Sequence, residues 1–183
     1  MATHHLVTAD ELGRMGHQDF GYELVRGELV PVSPPGEEQG RLATHIAARL
    51  FDFVVARQLG TVYVETGYVL SRNPDTVRGP DVSFLSAERS AAVRGRVGFV
   101  PFAPDLAVEI RSPSNTLAEV SAKAQEYLDA GARLVWVVDP VSQALWIHQA
   151  GREPAPVSKG SWLEGGAVLP GFDLSLAELF AAE

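Results

Sequence analysis

Cysteine and long apolar runs are both absent from this sequence. Without cysteine in 183 residues, disulfides and thiolate metal sites are excluded, which is compatible with a reducing cytoplasm. No apolar stretch reaches the roughly eighteen residues of a transmembrane helix, and the first residues lack the charged and apolar regions of a secretory signal. The sequence therefore predicts a cytoplasmic protein with no membrane partner.

Positive charge is also scarce. The formal net charge of −8 counts against tight non-specific binding of nucleic acid through many phosphate contacts. Only two of the 15 basic residues are lysines, Lys123 and Lys159. A lysine can lose or share its proton near a metal ion, whereas an arginine effectively cannot, so each lysine is a candidate functional residue. The alternative is that the lysines only reflect a composition biased toward arginine.

Hydrophobic spacing, capping boxes and turn residues predict the elements along the chain. Helices are predicted at residues 8–15, 39–59, 116–130 and 176–180. Strands are predicted at residues 22–25, 28–32, 61–71, 82–85, 106–111, 134–138 and 144–148. Residues 86–103 are predicted to be irregular or weakly helical, and residues 150–167 to be loop-like.

These elements predict an α/β fold in which helices flank a mixed sheet. The strand–helix–strand unit from 105 to 138 should connect two parallel strands, since such crossovers are the usual link between them. We expect residues 1–183 to form a single domain, in which residues 1–36 are an N-terminal helix and hairpin extension that packs on the core.

Three charged residues stand at informative positions in this fold. Glu109 lies within a strand that should be buried on both faces, where a carboxylate is costly unless it is paired or binds a metal. Asp81 follows Pro80 at the start of a strand, and Lys123 lies on the flank of the apolar stripe of a helix. Each has an ordinary alternative: a salt bridge for Glu109, backbone hydrogen bonds for Asp81, and a surface contact with Glu126 for Lys123.

Taken together, two carboxylates on adjacent strands and one ammonium suit magnesium-dependent hydrolysis of a phosphodiester. Carboxylate oxygens are ligands that Mg²⁺ prefers, and the bound ion acidifies a water and neutralises phosphate charge. The lysine can orient or deprotonate the attacking water, or stabilise the transition state.

Several short motifs occur in one order along nearly the whole chain. They are Tyr22-Glu-Leu-Val-Arg-Gly-Glu-Leu29, Val77-Arg-Gly-Pro-Asp-Val82, Pro104-Asp-Leu-Ala-Val-Glu-Ile-Arg-Ser-Pro-Ser114, Lys123 with Glu126-Tyr127, Leu134-Val-Trp-Val-Val-Asp-Pro140 and Leu169-Pro-Gly-Phe172. With these motifs the chain resembles the Uma2 (DUF820) family. That family is similar to the restriction-endonuclease-like PD-(D/E)XK enzymes, which implies a restriction-endonuclease-like mixed sheet.

The resemblance also implies roles for individual residues. Asp81 and Glu109 would be the acidic metal ligands, and the backbone carbonyl of Ile110 would complete the metal shell. The lysine that the wider superfamily carries two residues after the second acidic ligand is replaced here by Arg111, and its place maps to Lys123 on the following helix. Four residues are expected to line the cleft: Glu23, His45, Arg111 and Tyr127.

The sequence thus predicts a metal-dependent endonuclease that uses Mg²⁺ or Mn²⁺ to hydrolyse phosphodiester bonds in nucleic acid, with DNA as the expected substrate. Arg89, Arg94 and Arg96 could contact the nucleic-acid backbone, although a solvated loop is the commoner role for such residues. Two alternatives remain open: a non-catalytic oligomer on the same scaffold, and a small-molecule phosphodiesterase. A homodimer or higher homo-oligomer is expected because short edge strands and an apolar C-terminal helix would gain from a partner.

Overall fold

The computed structural model describes residues 5–15 and 21–181 of the chain. The helices are α1 (Ala9–Leu12), α2 (Glu37–Ala56), α3 (Ala87–Val93), α4 (Leu117–Asp129) and α5 (Leu176–Leu179). The strands are β1 (Tyr22–Val25), β2 (Glu28–Pro31), β3 (Gly60–Val64), β4 (Tyr68–Ser71), β5 (Thr76–Arg78), β6 (Val82–Ser86), β7 (Leu106–Ile110), β8 (Leu134–Asp139), β9 (Ala144–His148), β10 (Ala155–Ser158), β11 (Trp162–Glu164) and β12 (Asp173–Ser175).

A six-stranded mixed sheet in the order β10-β9-β8-β7-β6-β3 forms the centre of the molecule. The β7–β8 pair is parallel, as the strand–helix–strand pattern predicted, and the other neighbours are antiparallel. Every residue of β7 and β8 is buried because helices cover both faces. The predicted α/β fold with a mixed sheet is confirmed.

The two faces of this sheet carry separate cores. On one face α2 buries Leu42, Ile46, Leu50 and Val54 at helical spacing against even-numbered residues of β6, β7 and β8. The C-terminal segment through β12 and α5 packs into the same core. On the other face α4 packs against odd-numbered residues of the central strands, with Val120, Ala124, Tyr127 and Leu128 buried.

A second sheet, in the order β2-β1-β5-β4, contains the predicted N-terminal hairpin. Leu24 of β1 pairs with Val77 of β5, and both side chains are buried with Ala9 and Leu12 of α1. The described part of residues 1–36 therefore meets the rest of the chain through backbone pairing as well as side-chain contacts. Residues 1–4, 16–20 and 182–183 of the predicted single domain lie outside the described residues.

Two capping boxes are present as predicted. Thr8 and Glu11 form one at the start of α1, and Thr116 and Glu119 form the other at the start of α4. In each, the threonine hydroxyl accepts a backbone N–H and the glutamate accepts the threonine N–H, so exposed donors at the helix start are satisfied.

The prediction of one strand at residues 61–71 is wrong. The segment divides into β3 and β4, which belong to different sheets. The break occurs at Glu65, which adopts a left-handed backbone conformation with φ of 46°. The apolar alternation continues on both sides of Glu65, so the hydrophobic pattern carries no sign of the break.

The loop prediction for residues 150–167 is also wrong in part. β10 pairs with β9 at an edge of the large sheet, and β11 pairs with β12. These short strands are held by backbone pairing and are largely exposed, so they lack the apolar alternation that identifies a half-buried strand. Residues 86–103 include the short helix α3, in line with the weak helix that was one of the two expectations there.

No helix in the described part of the chain combines the length and the apolar character that a membrane span requires.

Candidate active site

Glu109 is placed by the central strand β7, on the face of the sheet that α4 covers. Its neighbour in the parallel β8 is Val137, and its side chain is only 6 % exposed. A carboxylate at this depth is unfavourable without partners, because charge is poorly solvated in the interior. Its partners come from α4.

Lys123 and Tyr127 lie one turn apart on α4, so both side chains reach the same point. The Lys123 ammonium lies 2.9 Å from Oε1 of Glu109 and 3.0 Å from Oε2. The Tyr127 hydroxyl donates a 2.7 Å hydrogen bond to Oε1. Both carboxylate oxygens of Glu109 are therefore satisfied by one helix.

Glu23 joins this cluster from β1 in the second sheet. Its Oε1 lies 2.9 Å from the Lys123 ammonium and accepts the N–H of Gly79 at 3.0 Å. Its Oε2 accepts a 2.7 Å hydrogen bond from Arg78, whose other guanidinium nitrogens donate to Glu126 of α4 at 2.8 and 2.9 Å. Arg78 thus links the second sheet to α4 and holds Glu23 against Lys123.

Asp81 stands at the start of β6, beside the end of β7. Its Oδ2 accepts the N–H of Ile110 at 2.6 Å, and its Oδ1 accepts a 2.9 Å hydrogen bond from the side chain of Gln39 near the start of α2. Asp81 therefore lies beside the main chain of Ile110, the residue that follows Glu109 in β7. Of the predicted trio, Glu109 and Lys123 are in direct contact, and Asp81 is near enough for its charge to act on both.

Burial governs the protonation of the two strand carboxylates. It raises the pKa of Glu109 to about 7, and the negative charge of Asp81 adds to this against the lowering effect of Lys123. Burial also raises the pKa of Asp81, and the hydrogen bonds from Ile110 and Gln39 offset this only in part. The two carboxylates are close enough to disfavour each other's charge.

Lys123 and Glu23 shift in the opposite sense. Burial disfavours the charge on Lys123, but the charges of Glu109 and Glu23 outweigh it and raise the pKa of the ammonium. Burial likewise disfavours the charge on Glu23, but Lys123 and Arg78 outweigh it and lower the pKa of the carboxyl. Lys123 is therefore a cation, and Glu23 is its ionised partner.

Two of the predicted cleft residues lie outside this cluster. Arg111 is bound to Asp139 at the end of β8, with nitrogen–oxygen distances of 2.6 and 2.7 Å, and it donates to the carbonyl of Asn115 at 3.0 Å. It anchors the turn that leads from β7 into α4. His45 lies in the middle of α2, and none of the hydrogen bonds described for the cluster involves it.

Sequence patterns did not indicate two members of the cluster, Arg78 and Gln39. Arg78 ends a strand of three residues that the sequence pattern did not reveal, and its partners lie 48 and 55 residues away along the chain. For Gln39 the sequence indicates only the start of a helix. The Val77–Val82 motif contains Arg78, so that motif was the one available signal.

The second Pro-Asp pair has a structural role. Asp105 is 2 % exposed, accepts the N–H of Ser86 at 2.8 Å and pairs with Arg89 at 3.0 Å. Arg89 also donates to the carbonyl of Ala103 and stacks on Phe102, so it is committed to the fold. Among the arginines considered for phosphate contacts, Arg94 and Arg96 lie on the exposed segment after α3.

Charge in the cluster is unbalanced. Four carboxyl groups, those of Glu23, Asp81, Glu109 and Glu126, surround the two cations Arg78 and Lys123. Burial raises the pKa of Asp81 and of Glu109, so a divalent ion would stabilise their ionised forms, and carboxylate oxygens suit a hard cation. Among the described residues, no group of three or more His, Asp and Glu side chains has the arrangement of a metal site. The fit therefore rests on Asp81, Glu109 and backbone oxygen.

Two cavities lie elsewhere on the molecule. One, of about 370 Å³, is lined by residues of α2 and by Gly171, Phe172 and Asp173, and the other, of about 510 Å³, lies between α2 and β3. Neither contains a residue of the cluster.

Comparison with known proteins identifies the family of the chain and agrees with its fold. Residues 9–177 match the model of the Uma2 family, whose description reads "Putative restriction endonuclease". A crystal structure described as a "putative nuclease belonging to DUF820", from Anabaena variabilis ATCC 29413, superimposes with a TM-score of 0.82 at 19 % sequence identity, covering 95 % of this chain and 97 % of the other. Among curated proteins none matches the chain. The family match spans nearly the whole sequence, and the chain belongs to the Uma2 family.

Proposed function

We propose that this protein is a metal-dependent endonuclease that hydrolyses phosphodiester bonds, with DNA as its substrate, in the cytoplasm. The observation that supports the proposal most is the contact between Lys123 and the buried carboxylate of Glu109, with Asp81 bonded to the main chain of the next residue, Ile110. Family membership supports a nuclease of the restriction-endonuclease-like kind. The metal, the substrate and the catalytic roles are the proposal.

The metal ligands in this proposal are Asp81, Glu109 and the backbone carbonyl of Ile110. Asp81 and Ile110 are already in contact through the Ile110 N–H, and carboxylate oxygens suit a divalent cation, Mg²⁺ or Mn²⁺. Such an ion would supply an acidified water and neutralise charge on the phosphate.

Lys123 acts in this proposal as a fixed positive charge. Because the neighbouring carboxylates raise the pKa of its ammonium, we assign it to orienting the attacking water and stabilising the charge of the transition state, and not to abstracting a proton. Tyr127 holds Glu109 by its 2.7 Å hydrogen bond, and Glu23 holds Lys123 from the other side at 2.9 Å. These two are positioning residues.

The test is a cleavage assay with DNA, RNA and small phosphodiesters in the presence of Mn²⁺ or Mg²⁺. We expect Asp81→Asn, Glu109→Gln and Lys123→Met each to lower the cleavage rate by about 100-fold or more, as the loss of one charge-stabilising group does in other enzymes. The matched control is Lys159→Met, which removes the other lysine, an exposed side chain bonded to Gln143, and should leave the rate unchanged. Equal rates in all four variants, or no cleavage of any substrate, would refute the proposal.

One observation favours a non-catalytic role as the second candidate. Lys123 is held by two carboxylates at 2.9 Å each, which is also the arrangement of a structural ion network. Calorimetric titration with Mn²⁺ separates the two candidates. The nuclease should bind the ion with an affinity that Asp81→Asn abolishes, whereas a structural network should bind none.

A further inference from the structure

The central sheet has two edge strands, β10 and β3, and their residues differ in how strongly they oppose pairing with another strand. The β10 edge contains Pro156, which has no N–H to offer, and Lys159 follows the strand closely. Both devices discourage pairing with another chain. The β3 edge, Gly60–Val64, contains neither a proline nor a charged residue, and no described strand pairs with its outer side.

The outer side of β3 presents a defined set of backbone groups. Leu59 accepts the N–H of Ala87, and Glu65 donates to the carbonyl of Asp81, so the odd-numbered residues bond toward β6. In an antiparallel ladder the alternate residues face the other way. Gly60, Val62 and Val64 therefore direct their N–H and C=O groups outward.

An apolar groove runs beside this edge. It has a volume of about 510 Å³ and lies between α2 and β3, where Thr44, Ala47, Phe51, Val62 and Val64 line it. Phe51 and Val55 of α2 are 55 % and 54 % exposed, and Val64 of β3 is 57 % exposed. Large apolar side chains clustered at an unpaired sheet edge are typical of a protein–protein contact.

We propose that this surface binds a second copy of the chain, with the two β3 strands pairing antiparallel about a twofold axis at Val62 and the two α2 helices packing across the axis. The proposal concerns assembly and does not depend on the proposed nuclease function.

The register makes the edge complementary to itself. About an axis at Val62, Gly60 of one copy faces Val64 of the other, so all three outward-facing residues meet outward-facing partners. Each such pair exchanges two backbone hydrogen bonds. A register shifted by one residue would leave these groups unpaired, and one shifted by two would pair fewer of the three residues, so this register forms the most hydrogen bonds.

The size of the surface fits the same partner. A typical stable interface buries about 800 Å² per partner, which is more than five edge residues supply. The exposed face of α2, a helix about 30 Å long, supplies the remainder. Asp52 and the apolar lining make the groove unsuitable for nucleic-acid phosphates.

Cysteine scanning tests the register, because the chain has no cysteine of its own. Residues that directly face each other in a hydrogen-bonded antiparallel pair have Cα atoms about 5.5 Å apart, within the range of a disulfide. We expect Val62→Cys to form an intermolecular disulfide under mild oxidation. Val141→Cys, at an apolar position that is 77 % exposed and so more accessible than Val62, should remain a monomeric thiol in the same conditions.

Sedimentation equilibrium of the full chain tests the contact itself. The wild type should dimerise, and Val64→Lys should weaken the dimer at least about tenfold in Kd, because it places a lysine at an apolar contact twice per dimer. Val141→Lys should dimerise like the wild type, and circular dichroism should show all variants folded. A monomeric wild type, or a dimer indifferent to Val64→Lys and without the Val62→Cys cross-link, would overturn the proposal.

Discussion

The candidate site depends on Glu109, whose carboxylate is buried. Its 6 % exposure would make a lone charge very costly, and the fold compensates with an ammonium and a phenol from the same helix. Asp81 lies beside it with hydrogen bonds to a backbone amide and a side-chain amide. Such crowding of like charges is more often found at functional sites than in structural networks.

The two Pro-Asp pairs give a first prediction. Asp105 is buried and paired with Arg89, so Asp105→Asn should lower the free energy of unfolding by about 3 kcal/mol. Asp81→Asn should change it by less than about 1 kcal/mol, because burial already disfavours the charge that the substitution removes. Urea denaturation measures both, and a larger loss for Asp81→Asn would show that Asp81 is a structural residue.

Glu109 also gives a prediction of pH dependence. Its pKa is raised from 4.5 to about 7, so between these values the folded protein holds a proton that the unfolded chain has lost. This group therefore stabilises the fold less as pH rises through that window. A metal ion must displace the proton, so the rise in Tm produced by Mn²⁺ should be larger at about pH 8 than at about pH 6.

Thermal denaturation with and without Mn²⁺ at the two pH values measures this difference. Glu109→Gln has no proton to lose at this position and should show no Mn²⁺-induced rise at either pH. An equal rise at both pH values in the wild type would place the metal elsewhere.

The sequence could indicate the charged residues of the candidate site but not the residues that position them. Asp81, Glu109 and Lys123 stand out because a carboxylate in an apolar strand, an acid after a proline and a rare lysine are visible along the chain. Arg78 and Gln39 act through contacts between distant segments, and nothing in their local sequence distinguishes them from surface residues.

At the scale of elements, α4 is the part of the fold that assembles the site. It presents Lys123 and Tyr127 from one face and Glu126 from the neighbouring position, and so reaches both sheets. Its start is fixed by the capping box of Thr116 and Glu119. The rigid placement of its first turns therefore matters for the geometry around Glu109.

Removal of that cap gives the third prediction. Thr116→Ala should lower the free energy of unfolding by about 1 kcal/mol, the usual effect of losing a threonine cap. For a protein of this size that corresponds to a fall in Tm of about 2–4 °C. Thr44→Ala is the matched control, because Thr44 lies within α2 and caps nothing, and its Tm should stay near that of the wild type.

A smaller effect for Thr116→Ala than for Thr44→Ala in calorimetric melting would mean that packing alone fixes α4. The capping box was visible in the sequence because it is a local motif of four residues. The break between β3 and β4 was not, since it depends on which sheet each half joins.

At the scale of the whole molecule, the C-terminal segment completes the core. Phe172 is 3 % exposed, stacks on Trp136 with ring centroids 5.8 Å apart and meets the edge of Phe53 at 5.3 Å. The segment that carries it closes the same face of the sheet that α2 covers. Its packing supports the proposal that residues 1–183 fold as one domain.

That proposal gives the fourth prediction. Phe172→Ala should lower the free energy of unfolding by about 3–5 kcal/mol, the usual cost of a cavity left by a buried phenylalanine. Tryptophan fluorescence and circular dichroism should still report one coincident transition. Val141→Ala, at an exposed position, is the control and should unfold like the wild type. Two separate transitions would divide the chain into independent units.

The overall architecture was predictable because β7, β8 and α4 carry strong hydrophobic periodicity and stand next to each other along the chain. The second sheet was predicted only through its hairpin, because β5 has three residues and β4 was merged with β3. Assembly of distant short strands depends on tertiary packing, which single-sequence patterns do not record.

A crystal structure of the protein grown with Mn²⁺, with anomalous scattering used to locate the ion, tests the central claim most directly. The ion should lie roughly 2.0–2.3 Å from carboxylate oxygens of both Asp81 and Glu109, and the Lys123 ammonium should remain beside them. Manganese bound only at other residues, or absent from these two carboxylates at saturating concentration, would contradict the account.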